Sequence, residues 1–337
     1  MTTLVTGATG LLGSHVTDVL LARGERTRVL VRPGSRVDRP DSSNLELCVG
    51  DITDQPSLVR AVREVDRIIH CAARTGPWGP EVEYRKTNVT ALRMLVDAAI
   101  AGGVQRFVHV SSITVHGNDL RGAADESAPL RRESNPYSRS KVAGEQLLQD
   151  IVQEQRAPVV IVRPGWIYGP RDTASFGRFA ALIEHGRMVV VGSGGNHLPL
   201  VYVSDAAEAA VLASHAPKAA VGNAYLIVND EPVTQWGYLS RIAAELGVPA
   251  PRVHIPYRPA VMLGALSETV GRLARRQRPP PVTRYGLQLL GGENRFVISR
   301  ARQDLGFSPQ VNLEEGVRQS VDWYRSVHDP AAEHRAA

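Results

Sequence analysis

Short β-branched apolar runs alternate with helix-length amphipathic stretches from the N-terminus to about Arg163. Thr3–Thr6, Arg28–Val31, Leu45–Val49, Arg67–Cys71, Phe107–Val110 and Val159–Val162 read as buried strands. Between them, Gly13–Ala22, Ser57–Val65, Val89–Ala101 and Ser140–Gln155 repeat their apolar positions at helical spacing. This βαβα rhythm predicts an α/β fold with a doubly wound parallel sheet and a ligand crevice at the carboxyl ends of its strands. Beyond Arg163 the rhythm loosens. Gly165–Asp172 is loop-like, Gly192–Gly195 is a turn cluster, and prolines at 249–259 and 279–281 break up the last third. The chain therefore divides into a core (1–163), a smaller and mostly helical region interleaved with it (164–330), and a tail (331–337). Val201–Val203 and Tyr225–Val228 are expected to return to the main sheet.

Composition alters this picture little. The 337 residues are 43% hydrophobic and 22% charged, which suffices for a sizeable core. The net charge of +5 comes from scattered arginines with no aromatic-interleaved basic stripe, so no nucleic-acid partner is expected. Cys48 and Cys71 stand alone, and no Cys/His spacing suits a metal, so neither a disulfide framework nor a metal is expected. The first strand opens directly after Met1 and no apolar run approaches membrane-spanning length, so a cytoplasmic location is expected.

Candidate chemistry is concentrated in two places. Thr6-Gly7-Ala8-Thr9-Gly10-Leu11-Leu12-Gly13 joins the first strand to the first helix. Glycines let the backbone turn and approach a pyrophosphate, while the helix N-terminus offers amide donors and a partial positive charge. The second strand ends Val31-Arg32-Pro33-Gly34-Ser35-Arg36 without a carboxylate. Guanidinium groups match a 2′-phosphate, so NADP(H) is favoured, with NAD(H) the alternative. Asp51-Ile52 would accept from an adenine amino group or cap a turn, and Ala72-Ala73 would let the cofactor pass close. At the reacting end, Tyr137 and Lys141 are four apart on one helix face. A neighbouring ammonium would lower the phenol's pKa toward a useful range. Ser111-Ser112 follows the fifth strand at the crevice mouth, where a hydroxyl can stabilise charge developing on a substrate oxygen.

With these motifs in order, the chain resembles an extended short-chain dehydrogenase/reductase, within the NAD-dependent epimerase/dehydratase superfamily and with a Rossmann core. The resemblance covers nearly the whole sequence. It identifies Ser112, Tyr137 and Lys141 as the catalytic triad. To the cofactor it assigns Gly7, Thr9, Gly10, Leu11, Leu12, Gly13, Arg32, Arg36, Asp51, Ile52, Ala72, Ala73, Asn88, Ser111 and Pro164, together with Tyr137 and Lys141. Trp78, His116 and Trp166 join Ser112 and Tyr137 as expected substrate contacts.

Asn229–Val233, Trp236, His254–Tyr257 and Leu305–Val311 are similar to the 3β-hydroxysteroid and sterol-4-carboxylate dehydrogenase branch. Thr75–Gly79 is similar to bacterial 2-alkyl-3-oxoalkanoate reductases. Arg32 departs from the acidic strand end of the NAD-using sterol enzymes, which favours reduction. Ser112-Ile113-Thr114 lacks the Thr-Asp-Glu of sugar dehydratases. The resemblance thus implies an NADP(H)-dependent oxidoreductase interconverting a ketone and a secondary alcohol on an apolar substrate, either a β-keto acid derivative or a steroid-like ring. The alternatives are an epimerase that retains NAD and a non-catalytic dinucleotide sensor. It also implies a homodimer pairing Val89–Ala101 and Ser140–Gln155 across a two-fold. The stretch 258–278 is apolar with a basic end. Its apolar residues are expected to pack on the main sheet, with a lid or peripheral membrane contact as the other reading.

Overall fold

A computed structural model describes residues 1–35, 42–120, 122–131 and 135–328. Strands β1 (Thr2–Thr6), β2 (Arg26–Val31), β3 (Leu45–Val49), β4 (Arg67–His70), β5 (Arg106–Val110) and β6 (Val159–Pro164) fall where the apolar runs predict them. Two short strands follow, β7 (Trp166–Tyr168) and β8 (Leu200–Tyr202), and then β9 (Ala224–Ile227). The main sheet has the order β9-β6-β5-β4-β1-β2-β3, and every pairing in it is parallel. It is the doubly wound sheet that the sequence rhythm implies. Because β1 pairs with both β2 and β4, the strand order reverses at its carboxyl end and opens a crevice there.

Both faces of the sheet are covered except at the edge strand β3, where Leu47 and Val49 stay exposed and the expected burial is corrected, and the pleat divides the side chains between the faces. On β1, Val5 joins one apolar cluster with Val16 and Leu20 of α1 (Leu11–Ala22) and with the alanines of α5 (Val203–His215). Leu4, its neighbour, joins the opposite cluster with helices α2 (Gln55–Val62), α3 (Ala91–Ala101) and α4 (Pro136–Gln155). A third cluster, around Tyr168, Phe176, Tyr202, Tyr238 and Tyr324, forms the core of the C-terminal region.

Two further expectations are corrected. Tyr225–Val228 supplies β9 of the main sheet, whereas Val201–Val203 does not reach it: Leu200–Tyr202 pairs with β7 in a separate two-stranded sheet. Gly165 is the cause. Its amide still bonds the Ile227 carbonyl, but the next residue turns to take the Pro199 carbonyl, so the chain leaves one sheet and opens another. Helix α6 (Tyr257–Leu273) does not lay its large apolar residues on the main sheet. It packs small residues against α7 (Arg284–Gly291) and leaves the large ones exposed. The tail at 331–337 lies outside the described residues.

The step at Gly165 has no room for a side chain. A Cβ there would overlap the Pro199 carbonyl oxygen and lie 2.8 Å from Val228 Cγ1. Gly165→Ala should therefore lower stability by about 1–3 kcal/mol. The check is urea unfolding, where an unchanged midpoint would show that the step is not constrained.

Candidate active site

The glycine loop leaves β1 and folds back on itself. The Gly10 amide bonds the Gly7 carbonyl at 2.9 Å, and Gly7 has φ +72°. A Cβ on Gly7 would meet Ala72 N at 2.7 Å, and one on Gly13 would overlap the Gly7 carbonyl. Helix α1 starts without a side-chain cap and without an acidic residue in its first turn. Its first amides are therefore free for an anion, with Thr9 and Gly10 exposed beside them. Leu11 is partly exposed in this turn and Leu12 is buried, so side chains anchor the helix while backbone faces the crevice. These are the features a dinucleotide pyrophosphate requires.

At the adenosine end, Arg32 is exposed beyond β2. Asp51 accepts from the Thr53 amide (2.7 Å) and hydroxyl (2.8 Å), and so caps its own turn. These bonds, with Arg32 and Lys86 nearby, hold its carboxyl below the usual range. Only Oδ1 is engaged by Thr53, which leaves Oδ2 as an acceptor. Ile52 is partly buried against the α2 face. Arg36 lies outside the described residues.

The reacting end is built on the first turns of α4. Asn135 caps the helix through Ser138 N (2.8 Å), and Pro136 occupies its first position, so Tyr137 stands at the rim. Its side chain is partly exposed there. Burial pushes that phenol up to about 12, opposed by the nearby Ser112 hydroxyl. Ser112 N-caps the short turn Ile113–His116 beyond β5, its hydroxyl accepting from Thr114 N at 3.3 Å.

Lys141 is buried and donates to the Val110 carbonyl at 2.6 Å. Its ammonium is 6.0 Å from the Tyr137 ring centre. The expected lowering of the phenol by Lys141 is therefore corrected, because burial dominates and keeps Tyr137 protonated. Lys141 itself falls to about 8 through burial, with Glu145 and Cys71 pulling the other way.

Beneath this surface lies a polar network. Glu145 is fully buried and takes Arg163 Nη2 at 2.6 Å and Nε at 3.0 Å, together with the Ser111 hydroxyl at 2.5 Å. Arg163 also donates to His116 Nε2 at 3.1 Å. Two expectations change as a result. His116 is buried in the network and offers a substrate almost no exposed surface, while the Ser111 hydroxyl is committed to Glu145.

Asn88 is also turned inward. It exchanges bonds with both backbone groups of Arg74 and donates to Ser140 Oγ, which in turn bonds the Tyr137 carbonyl. It sits in a π-helical stretch, Lys86–Thr90, and clamps the β4 exit to α4. Ala72 and Ala73 stand at that exit, and Pro164 ends β6. Trp78 docks on the end of α6, where its Nε1 donates to the Arg276 carbonyl at 3.0 Å. Trp166 packs edge-on against Phe179 and donates to Ser175 Oγ.

Glu145, Arg163 and Tyr84 are the residues that motif reading passes over. Glu145 had a signal, since it lies four residues after Lys141 on the same face. Arg163 was an ionisable residue ending an otherwise apolar strand. Tyr84, fully buried, holds the loop before it with a hydroxyl 2.7 Å from the Gly76 carbonyl and 2.9 Å from that of Trp78. An open surface depression of about 500 Å³ lined by Arg241, Glu314 and Asn312 lies elsewhere in the C-terminal region, and Glu145, Arg163 and Tyr84 do not line it.

Removing one partner of the buried pair strands the other charge. Arg163→Met should cost about 3–5 kcal/mol of stability. Denaturant unfolding measures this, and a loss below about 1 kcal/mol, typical of exposed pairs, would contradict it.

Sequence and structure comparisons place the chain among known proteins. Residues 3–227 match the NAD dependent epimerase/dehydratase family. A 2-alkyl-3-oxoalkanoate reductase of Stenotrophomonas maltophilia is 31% identical, with 94% of this chain and 98% of that protein covered. Sterol demethylase protein B of Methylococcus capsulatus is 32% identical, covering 96% and 98%. Among solved structures, gox2253 superposes with a TM-score of 0.81 at 31% identity, covering 97% of this chain and 98% of the other. A UDP-glucuronic acid 4-epimerase of Bacillus cereus in complex with NAD reaches 0.76 at 23% identity, covering 98% and 100%, a likeness of fold. The chain belongs to the NAD-dependent epimerase/dehydratase family, in the extended short-chain dehydrogenase/reductase manner.

Proposed function

We propose that the protein is an NADP(H)-dependent oxidoreductase that reduces a ketone to a secondary alcohol on an apolar substrate, a β-keto acid derivative or a steroid-like ring. The observation that carries this reading is that the turn after β5 and the first turns of α4 bring together Ser112, Tyr137 and the buried Lys141, whose ammonium lies 6.0 Å from the Tyr137 ring. A protonated phenol is a proton donor, which suits reduction. When bound, the nicotinamide supplies the hydride. Tyr137 gives its proton to the carbonyl oxygen as the carbon is reduced, and Ser112 donates a hydrogen bond that steadies the developing charge. Lys141, buried beneath the tyrosine with its charge against the β5 carbonyl, supplies positive potential under the same atoms and a hold for ribose hydroxyls. Trp78 and Trp166 would bound the substrate side.

Arg32 supports NADP(H), because no carboxylate ends β2 to repel a 2′-phosphate. The relatives named as 2-alkyl-3-oxoalkanoate reductase and as sterol-4-alpha-carboxylate 3-dehydrogenase support a keto or hydroxyl substrate. We also read the enzyme as a cytoplasmic homodimer. Partly exposed Met94 and Ala98 of α3 and Leu147 of α4 support pairing through those helices.

Tyr137→Phe should abolish NADPH-dependent ketone reduction, a loss of at least about 100-fold in kcat, while NADPH still binds with similar affinity. Turnover near the wild-type rate would remove Tyr137 from the mechanism. Arg32→Glu should reverse cofactor preference, weakening NADPH by roughly tenfold or more and sparing NADH. Titration of both cofactors by fluorescence decides it, and a wild-type protein that binds NADH more tightly would overturn the NADP(H) reading.

A further inference from the structure

Helix α6 has its side chains arranged inside out. Ala260, Gly264, Glu268 and Gly271 form its buried face, and a Cβ on Gly264 would come within 2.8 Å of Arg284 N. The large apolar residues point away: Met262, Leu263, Leu266, Val270 and Leu273 are between 52% and 80% exposed. Spaced three and four apart, they form one stripe. Isolated exposed apolar residues are ordinary, but a continuous stripe marks a surface that meets something apolar.

The surrounding charge has one sign. From residue 257 to 291 the chain carries six arginines, one glutamate and no lysine or aspartate. The glutamate, Glu268, is turned inward, accepting from Arg284 N at 2.8 Å and facing Arg272 at 3.7 Å. The exposed end of the helix therefore presents Arg272, Arg275, Arg276 and Arg278 beside the stripe. A second copy packing its own α6 on the stripe would bring the same arginines and, from 257–291, only the inward-turned Glu268. An anionic bilayer matches both parts of the surface, with acyl chains for the stripe and phosphates for the guanidinium groups. No described helix is long and apolar enough to cross a membrane, so the contact is peripheral.

We propose that α6 docks the protein on an anionic lipid surface, its apolar stripe at the acyl boundary and Arg272–Arg278 among the headgroups. The docked end is joined to the reacting end of the molecule. The Arg272 guanidinium lies 5.8 Å from the Trp78 ring, and Trp78 bonds the Arg276 carbonyl. On the other side, Tyr84 holds the Trp78 loop and neighbours Tyr137. Resting on the reductase reading above, this places the substrate class: a ketone that partitions into lipid reaches Tyr137 from the membrane side.

The experiment is flotation of the full chain with vesicles of phosphatidylcholine alone or mixed with phosphatidylglycerol. Wild type should float with the mixed vesicles and, by roughly tenfold, less with phosphatidylcholine alone. Leu263→Asp/Leu266→Asp and Arg275→Glu/Arg278→Glu should each lose binding by at least roughly tenfold. Both should keep the wild-type melting temperature and the NADPH-dependent reduction of a water-soluble ketone, since none of these side chains lies in the reacting site. No flotation with phosphatidylglycerol, or flotation unchanged by either double substitution, overturns the proposal. So does a lipid-free dimer that Leu263→Asp/Leu266→Asp separates, because a second copy would then cover the stripe. Flotation without any ketone reduction would sink the reductase reading alone, and reduction without flotation would sink the docking alone.

Discussion

The buried Glu145–Arg163 pair is the constraint around which the reacting end is organised. Two charges taken out of water cost several kcal/mol each unless their partners are well placed. Here Glu145 accepts from two nitrogens of one guanidinium and from Ser111, and Arg163 extends the chain to His116. Meeting those bonds requires three elements at once: α4 for the carboxylate, β6 for the guanidinium, and the end of β5 for the serine. Once they are locked, Lys141, one helical turn before Glu145, lies under β5, and Tyr137, a turn earlier, comes to the rim beside Ser112. The pair contributes position rather than net stability.

Burial around this pair governs protonation. His70 is pushed down to about 3 by burial, with Lys141 adding to the effect, and its Nδ1 meets the Thr6 hydroxyl at 2.8 Å. His109 stacks on His70 at 5.6 Å and is also driven well below its usual value. Burial lifts the Cys71 thiol to about 12. His70, His109 and Cys71 are thus neutral groups around the Lys141 ammonium. Low dielectric makes that charge count for more, and the same burial keeps the Tyr137 phenol protonated.

The C-terminal region is attached to this core by steps and struts. Gly165 lets the chain move from β6 into a second sheet, and the cluster around Tyr168 and Tyr202 grows from that step. Arg171, in the same crossing loop, reaches back to Asp18 of α1 at 2.6 Å, which ties the loop to the cofactor-side helix. Trp78 is the opposite strut, running from the core to the end of α6. The two lobes are therefore linked on both sides of the glycine loop.

By itself the sequence determined the sheet, the glycine loop and the Tyr137/Lys141 helix, because each is written in local pattern. Strands buried on both faces must be continuously apolar, glycines mark backbone that cannot carry a Cβ, and residues four apart share a helix face. Even there the reading started α4 late, since the cap at Asn135 and Pro136 extends the helix ahead of its apolar period. What only the tertiary structure decided concerns groups whose meaning depends on distant partners. His116 and Ser111 have polar side chains suited to a crevice, yet Arg163 and Glu145, 47 and 34 positions away, draw them inward. Val201–Val203 is as apolar as any core strand and was diverted by a glycine far upstream. The period of α6 revealed an apolar face but not its direction. That direction was set by small residues packing against α7, because helices approach most closely where side chains are smallest.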